Sequence, residues 1–417
     1  MMYAVYKTIT YIAEPLIPAL LQRRLRRGKE DAARVGERTG ITSIVRPPGR
    51  LVWIHAASVG ESNSVLPLIH AMLAAYPSIH ILLTTVTVTS AKMMGERLPA
   101  RALHQFAPVD SPDAVAAFLY HWQPDIALWV DSELWPNILM ETRKRGAVMG
   151  IINARMSERS FRSWRFARPL IRQLLSCFSL CFAQSVEDGS RLLELGIPAI
   201  TATGNLKYDA APLPYNEEEL VRLRAAIGAR PLWIAASTHL GEETIIGEVH
   251  AALKQIFPDL LTLIVPRHAK RGGEIAEQLR GFHLVQRSKK ESITPETDIY
   301  LGDTMGELGM FYRLAPIAFI GGTLVPHGGQ NPLEAARTGC AIIMGQHAHN
   351  FRDMVSRMEQ DKAVIGIHTR EELRDVLKQL LGNKEMHLKL GDAAMRHVQS
   401  GSGMIERIMN ELRPYLS

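Results

Sequence analysis

The first candidate functional residues of this chain are carboxylate and hydroxyl side chains that directly follow a short apolar run. The segment HAASVGE carries Ser58, Gly60 and Glu61 directly after such a run. Ser58 followed three positions later by Glu61 is typical of a helix capping box. A carboxylate at such a turn can also serve as a general base toward a hydroxyl group if partial burial raises its pKa. Both interpretations of Glu61 are open at this point.

A glycine-rich stretch, GGTLVPHGGQNPLEAA, also follows an apolar run. Asn331 suits a helix N-cap, Pro332 the first helical position and Glu334 the first turn. One interpretation is a well-capped helix after a glycine hinge. The other is that Gly328, Gly329 and the amides of the helix start hold a phosphate, while Glu334 accepts hydrogen bonds from ribose hydroxyls. The spacing is neither a Walker A loop nor the dinucleotide fingerprint.

The remaining candidates are single residues in polar segments, and each is also an ordinary loop or cap residue. They are Glu133 in DSELWP, Lys207 in TGNLKYD, Ser237 and Thr238, Arg267 and His268 in PRH, and Met305 and Gly306 in DTMGELG. Arg267 suits a phosphate or carboxylate because its planar guanidinium donates two hydrogen bonds at once. No cluster of His and acidic residues has the spacing of a metal site, so we expect metal-independent chemistry.

Short apolar runs alternate with helix-period segments from residue 50 onward, a pattern typical of βαβ units and parallel sheets. The predicted strands are 51–55, 79–85, 103–107, 126–130, 148–153, 180–183 and 199–203, then 232–236, 261–265, 283–286, 299–301, 317–320, 341–344 and 364–367. The stretch 209–219, with two prolines and three consecutive glutamates, resembles a linker that leads into a helix. The sequence therefore predicts an α/β protein with two doubly wound sheets.

These elements predict an N-terminal segment (1–30), a first Rossmann-like domain (31–208) and a second one (209–417). The last helix of the second domain could pack back on the first. Open α/β sheets bind ligands beyond the carboxyl ends of their strands, so we expect a cleft between the two domains where those ends face each other.

The net charge of +6 is concentrated at the N-terminus, because residues 1–50 contain ten basic and four acidic residues. The body carries no basic stripe interleaved with aromatics, so a nucleic-acid partner is not expected. Only Cys177, Cys181 and Cys340 occur. Their spacing fits no zinc framework, and we interpret them as small buried hydrophobes in a reducing compartment.

The first twenty residues are apolar but are interrupted by Lys7, Glu14 and two prolines, and an arginine-rich cluster follows at 23–29. A membrane-spanning helix needs about 20 uninterrupted apolar residues, so this is a poor span. The pattern favours an interfacial anchor whose arginines face anionic lipids. The alternative is an amphipathic cap on the first domain with a solvated basic tail.

The combination and order of HAASVGE, DSELWP, TGNLKYD, PRH, DTMGELG and GGTLVPHGGQNPLEAA resemble the bacterial 3-deoxy-D-manno-octulosonic acid (Kdo) transferases over essentially the whole chain. The resemblance implies the GT-B fold, CMP-Kdo as donor and a lipid A precursor as acceptor. It also implies a location at the cytoplasmic face of the bacterial inner membrane, in contact with its lipids. No cofactor is implied.

The resemblance assigns roles to the candidate residues. Glu61 corresponds to the catalytic base, and Ser58, Gly60 and Glu133 lie on the acceptor side. The donor side comprises Lys207, Ser237, Thr238, Arg267, His268, Met305, Gly306, Gly328, Gly329, Asn331 and Glu334, with Lys207 a candidate for the Kdo carboxylate.

The implied reaction is an inverting displacement in which the acceptor hydroxyl, deprotonated by Glu61, attacks the anomeric carbon of Kdo. One alternative is another GT-B enzyme, either a transferase that uses a UDP-sugar or a sugar-nucleotide epimerase. A second is a non-catalytic nucleotide-binding module that docks on membranes. No motif reports the number of Kdo residues added or the oligomeric state.

Overall fold

The described part of the chain, residues 2–416 of a computed structural model, divides into two units, the first of which is not continuous in sequence. Unit 1 comprises residues 2–210 together with 401–416, and unit 2 comprises residues 211–400. The C-terminal helix (Met404–Leu416) therefore belongs to unit 1.

Unit 1 is built on a parallel sheet, seven-stranded within the described residues. Its strands are β1 (Leu51–His55), β2 (His80–Thr85), β3 (Ala102–Phe106), β4 (Ile126–Val130), β5 (Val148–Ala154), β6 (Leu180–Ala183) and β7 (Ala202–Thr203), in the order β3-β2-β1-β4-β5-β6-β7. The strand order reverses between β1 and β4. In doubly wound sheets such a reversal opens a crevice beyond the carboxyl ends of the two strands.

Helices cover both faces of this sheet because its strands are apolar on both sides. They are α1 (Met2–Ala13), α2 (Ile17–Arg26), α3 (Val59–Ala75), α4 (Val88–Arg97), α5 (Pro112–Trp122), α6 (Pro136–Lys144), α7 (Glu158–Phe166), α8 (Arg168–Leu175) and α9 (Val186–Leu195), with 3-10 turns at Glu14–Leu16, Val35–Thr39 and Leu206–Asp209.

Alternate residues of β1 supply two separate cores. Trp53 packs with Phe118 and Trp129 on one face, with ring centroids 4.9 Å and 4.7 Å away. Ile54 points to the opposite face, where the C-terminal helix contributes buried residues such as Leu412. The two-residue repeat of a strand thus places a helix from the far end of the chain in the core of unit 1.

The N-terminal helix α1 has its polar side against unit 1. Tyr6 Oη donates to Asp110 Oδ2 (2.9 Å), and Lys7 Nζ lies 2.7 Å from Glu141 Oε1. The Asn137 side chain donates to Thr10 Oγ1 at 2.9 Å. Across residues 2–416, no helix is both long enough and apolar enough to cross a bilayer.

Unit 2 repeats the architecture with a second parallel sheet, also seven-stranded within the described residues. Its strands are β8 (Leu232–Thr238), β9 (Leu261–Pro266), β10 (Leu284–Gln286), β11 (Ile299–Leu301), β12 (Ile317–Ile320), β13 (Ala341–Gly345) and β14 (Ile365–Ile367), in the order β10-β11-β9-β8-β12-β13-β14. Here the order reverses between β8 and β12, so a second crevice is expected at their carboxyl ends.

The helices of unit 2 pack on both faces of this sheet. They are α10 (Glu217–Ile227), α11 (Glu242–Lys254), α12 (Gly272–Gln278), α13 (Leu308–Leu314), α14 (Leu333–Ala336), α15 (Arg352–Gln360), α16 (Arg370–Gly382) and α17 (Lys384–Gly401), with 3-10 turns at Ala269–Arg271 and His349–Phe351. Asn216 caps α10 by accepting from the Glu219 N–H at 3.0 Å, at the end of the predicted linker.

The predicted strands all occur, and most boundaries agree within one or two residues. The last predicted strand of unit 1 is shorter than expected, since β7 is only Ala202–Thr203. β8 is longer than expected and runs through Ser237 to Thr238, because a register shift between Ala236 and Thr238 lets Thr238 pair with Pro266.

Candidate functional site

The turn after β1 forms the predicted helix cap. Ser58 is the N-cap of α3 and accepts from the Glu61 N–H at 3.3 Å, while its hydroxyl donates to Glu61 Oε1 at 2.7 Å. The second oxygen, Oε2, accepts from the Ala57 N–H at 2.8 Å. Gly60 is exposed in the first turn. The Glu61 carboxylate is therefore fixed at the carboxyl end of β1.

Two further carboxylates lie near Glu61 at the point where the strand order reverses. Burial raises the pKa of Glu61, and the nearby charge of Glu133 raises it further against the opposing hydrogen bonds from Ser58 and Ala57. Burial and the charge of Glu61 raise the pKa of Asp131 to about 6. A carboxylate with a raised pKa is better matched to accept a proton near neutral pH.

Two cations complete this group in unit 1. The positive charges of Arg155 and Lys207 oppose the rise in the pKa of Asp131, so both lie close to its carboxylate. Burial lowers the pKa of Lys207, with the charge of Asp131 acting in the opposite direction. Lys207, predicted on the donor side, thus belongs to the carboxylate cluster of unit 1. A site with both signs of charge suits a substrate that carries hydroxyls and an anion.

Asp131 has an unusual backbone. Its φ of 63° lies in the left-handed region, which costs free energy for a residue with a side chain. The conformation directs the chain sharply out of β4. The Asp131 N–H donates to the Ile152 carbonyl at 3.0 Å, which ties this turn to β5. Asp131 and Arg155 are not among the predicted site residues; the one signal that the sequence offers is an acidic residue directly after a buried strand.

In unit 2, Ser237 and Thr238 lie at the carboxyl end of β8. Ser237 also has a left-handed backbone, with a φ of 57°. The Thr238 side chain is fully buried and donates to Glu243 Oε1 at 2.8 Å, so its hydroxyl is already engaged within the protein. Its carbonyl accepts from the Arg267 N–H at 3.0 Å, which joins the ends of β8 and β9.

Arg267, His268 and Glu334 come together on this edge of unit 2. Arg267 and His268 are exposed after β9, and the charge of Arg267 acts on Glu334. Burial raises the pKa of Glu334, against the charges of Arg337 and Arg267 and a hydrogen bond from Asn331. The His268 ring lies 6.2 Å from the ring of His239, edge to face. This edge therefore offers an exposed guanidinium beside a half-buried carboxylate.

The glycine-rich loop differs from the prediction in two respects. The helix after it, α14, begins at Leu333, one residue later than predicted, and Pro332 occupies its N-cap; Asn331 Oδ1 accepts from the Leu333 N–H at 3.2 Å. It is one turn long, so a strong helix dipole is not available. The Gly329 N–H donates to the Gly322 carbonyl at 2.8 Å, so this amide is engaged within the loop.

Gly328 and Gly329 are required by the shape of this loop. Both have positive φ, 105° and 81°. A side chain at Gly328 would meet the Asn350 amide at 2.3 Å. Met305 and Gly306 lie further along the same sheet edge, exposed on the loop after β11.

Within residues 2–416, no group of three or more His, Cys, Asp or Glu side chains is arranged to hold a metal ion. All three cysteines are buried and unpaired by disulfides.

Two parallel doubly wound units, each with charged side chains at its topological switch point, define a protein of the GT-B fold. The UDP-GlcNAc 2-epimerase of Neisseria meningitidis shares this fold, with a TM-score of 0.58 and 14% identity over 87% of this chain and 100% of its own.

Sequence comparison identifies the family within this class. Residues 33–210 match the family model of 3-deoxy-D-manno-octulosonic-acid transferase (kdotransferase). The 3-deoxy-D-manno-octulosonic acid transferase of Haemophilus influenzae is 34% identical over 99% of this chain and 98% of its own. A probable mitochondrial transferase of the same name from Arabidopsis thaliana is 40% identical over 92% of this chain and 89% of its own. The chain belongs to the Kdo transferase family.

Proposed function

We propose that this Kdo transferase moves Kdo from CMP-Kdo to a lipid A precursor of the tetraacyl disaccharide bisphosphate type, with Glu61 as general base. The observation that carries this proposal is the geometry of Glu61. Its carboxylate is fixed after β1 by Ser58 and Ala57, and burial and Glu133 raise its pKa. Such a group can accept the proton of an acceptor hydroxyl as that oxygen attacks the anomeric carbon.

The displacement inverts the anomeric configuration and releases CMP. Arg267 stabilises the departing phosphate by donating charge-assisted hydrogen bonds, and the loop that contains Gly328 shapes the donor pocket. Glu334 accepts hydrogen bonds from ribose hydroxyls. The guanidinium supplies positive charge at the leaving group, so the proposed reaction is metal-independent.

The Kdo carboxylate requires a cation of its own. Lys207 and Arg155 are the basic residues placed among the carboxylates of unit 1. We assign this contact to Lys207.

The exposed face of α1 and its continuation supports a location on the cytoplasmic side of the inner membrane. Val5, Ile9, Ile12, Leu16 and Leu20 are each at least half exposed, and their spacing places them on one helical face. Tyr6 and Lys7 of α1 are directed toward Asp110 and Glu141 of unit 1 instead, and the arginines of α2 follow the apolar stripe. An apolar stripe next to basic residues fits the interface of an anionic membrane.

Incubation with CMP-Kdo, generated in place, and the tetraacyl disaccharide bisphosphate tests the proposal, with mass analysis of the lipid and of the released nucleotide. We expect a mass increase of one or more Kdo residues together with CMP. Release of UDP from a UDP-sugar, with no reaction from CMP-Kdo, would identify a different GT-B enzyme. Binding of CMP without any turnover would favour a nucleotide-binding module.

A further inference from the structure

Glu242, the first residue of α11, is a buried carboxylate without a role in the reaction described above. Its side chain is completely buried. The hydrogen bonds of its two oxygens come from main-chain N–H groups. Oε2 accepts from His239 (2.9 Å) and Gly322 (2.7 Å), and Oε1 accepts from Thr323 (3.1 Å) and Leu324 (3.0 Å).

Three of these donors are consecutive residues that follow β12. Successive N–H groups that converge on one point form an anion-binding nest, a feature that proteins often use for phosphate. In this chain the nest of Gly322, Thr323 and Leu324 is filled by a carboxylate of the protein itself. The donor phosphate must therefore be held by other groups on this edge.

The segment held by Glu242 is the base of the glycine-rich loop. The Gly322 carbonyl accepts from the Gly329 N–H at 2.8 Å, which closes the loop on itself. Thr323 continues the connection toward β13, since its hydroxyl accepts from the Gly345 N–H at 2.9 Å and its carbonyl from the His347 N–H at 2.9 Å.

The fourth hydrogen bond joins this loop to the end of β8. Glu242 holds the N–H of His239, whose ring stacks on that of His327 at 3.6 Å between centroids. His327 lies within the glycine-rich loop. One carboxylate thus fixes both strand ends that flank the switch point of unit 2.

We infer that Glu242 is a positioning residue for donor binding, an internal anion that fills the amide nest after β12 and sets the conformation of the glycine-rich loop. The inference rests on the donor site proposed in unit 2. It predicts that loss of the carboxylate weakens binding of CMP-Kdo while the chemical step on bound donor is largely retained.

Glu242→Gln tests this role with little change in shape. An amide replaces one accepting oxygen by an NH2 group, which faces N–H donors and cannot accept from them. We expect the KM for CMP-Kdo and the calorimetric Kd of CMP to rise at least 10-fold, with kcat at saturating donor within about threefold of the parent. The KM for the lipid acceptor should not change.

Leu253→Ala is the matched control, because Leu253 is completely buried near the opposite end of the same helix. We expect it to lower the thermal midpoint and to leave the KM for CMP-Kdo and the Kd of CMP unchanged. Unchanged donor affinity in Glu242→Gln, or an equal loss in Leu253→Ala, would overturn the inference. Failure of the parent protein to bind CMP would overturn the proposed donor site itself.

Hydrogen exchange on the parent protein keeps the inference testable if Glu242→Gln does not fold. Residue-resolved mass spectrometry should find the amides of residues 322–324 protected before CMP is added, with little further protection on binding. Strong additional protection of these three amides by CMP would show that they bind the ligand, and would contradict the role assigned to Glu242.

Discussion

The Glu61 carboxylate takes part in the cap of α3 with Ser58, and burial and the charge of Glu133 raise its pKa. Capping requires only an oxygen that accepts hydrogen bonds, whereas general-base catalysis requires a group that takes up a proton. The two tasks can therefore be separated by a substitution that keeps the oxygen and removes the basicity.

Glu61→Gln makes that separation. Glutamine still accepts from the Ala57 N–H, so we expect the thermal midpoint and the CMP affinity to stay near those of the parent. Turnover with both substrates saturating should fall by about two to four orders of magnitude. The cap control is Asn216→Ala at the start of α10, which should lower stability by about 1 kcal/mol and leave turnover unchanged. Activity of folded Glu61→Gln within a few-fold of the parent would exclude Glu61 as the base.

The raised pKa of Asp131 predicts that this residue lowers the stability of the folded protein in a pH-dependent manner. Its pKa in the folded protein is about 6, above the ordinary value of 3.8, so the folded state binds more protons than the unfolded state between these values. Stability is therefore lost as the pH rises through this window. We expect Asp131→Asn to be more stable than the parent above pH 6, by about 1 to 3 kcal/mol. The difference should disappear below about pH 4. Thermal melts across this range test it, and a difference independent of pH would contradict it.

At the scale of single elements, α1 reverses the usual arrangement of an amphipathic helix on a protein. Tyr6 and Lys7 contact unit 1, whereas Val5, Ile9 and Ile12 face outward. Lys7 and Glu14, which interrupt the apolar run in the sequence, both make contacts with the body of unit 1. Because Lys7 and Glu14 contact unit 1, neither of them interrupts the exposed apolar stripe of α1 and its continuation.

Replacing Val5, Ile9, Ile12 and Leu16 together by glutamine should abolish membrane association without unfolding unit 1, because the inward contacts of α1 remain. Each buried apolar side chain contributes about 1.5 to 3 kcal/mol of transfer free energy. We therefore expect at least a 10-fold loss of binding to vesicles that contain phosphatidylglycerol, measured by flotation.

The control replaces Val221 and Ile256 of unit 2 by glutamine. Val221 lies in α10 and Ile256 follows α11, and both are about half exposed. That variant should bind the vesicles like the parent. Equal vesicle binding by the α1 variant would remove α1 from the proposed membrane contact.

The strands were predictable because buried parallel strands are continuous apolar runs. The capping pair Ser58 and Glu61 was predictable for a similar reason, since its spacing is local. The proximity of Asp131 to Lys207 depends on contacts between distant segments, and the left-handed backbone of Asp131 has no sequence signature. The engaged N–H of Gly329 was missed because its partner is set by the folded loop.

At the scale of the whole molecule, unit 1 depends on the last helix of the chain. Met404, Ile408, Leu412 and Leu416 are almost completely buried in its core. Asp209 also holds this segment, because its carboxylate accepts from the Gly403 and Ile405 N–H groups at 2.6 Å and 2.7 Å.

The double substitution Ile408→Ala and Leu412→Ala should destabilise unit 1 strongly, since each large-to-small change in a core costs about 2 to 5 kcal/mol. Calorimetry should show a lower midpoint for the transition of unit 1 and an unchanged one for unit 2. Asn410→Ala with Glu411→Ala, on the exposed side of the same helix, should change stability by less than about 0.5 kcal/mol each. Similar midpoints for both double variants would show that the helix does not contribute to the core.

The discontinuity of unit 1 also has a consequence for biosynthesis. A ribosome releases residues 2–210 long before it reaches the helix Met404–Leu416, and all of unit 2 is translated in between. During that interval the nascent first unit lacks the residues that close one face of its sheet. Its apolar surface then depends on chaperones or on the ribosome surface for protection, and a message truncated within the last helix yields a protein whose first unit cannot complete its core.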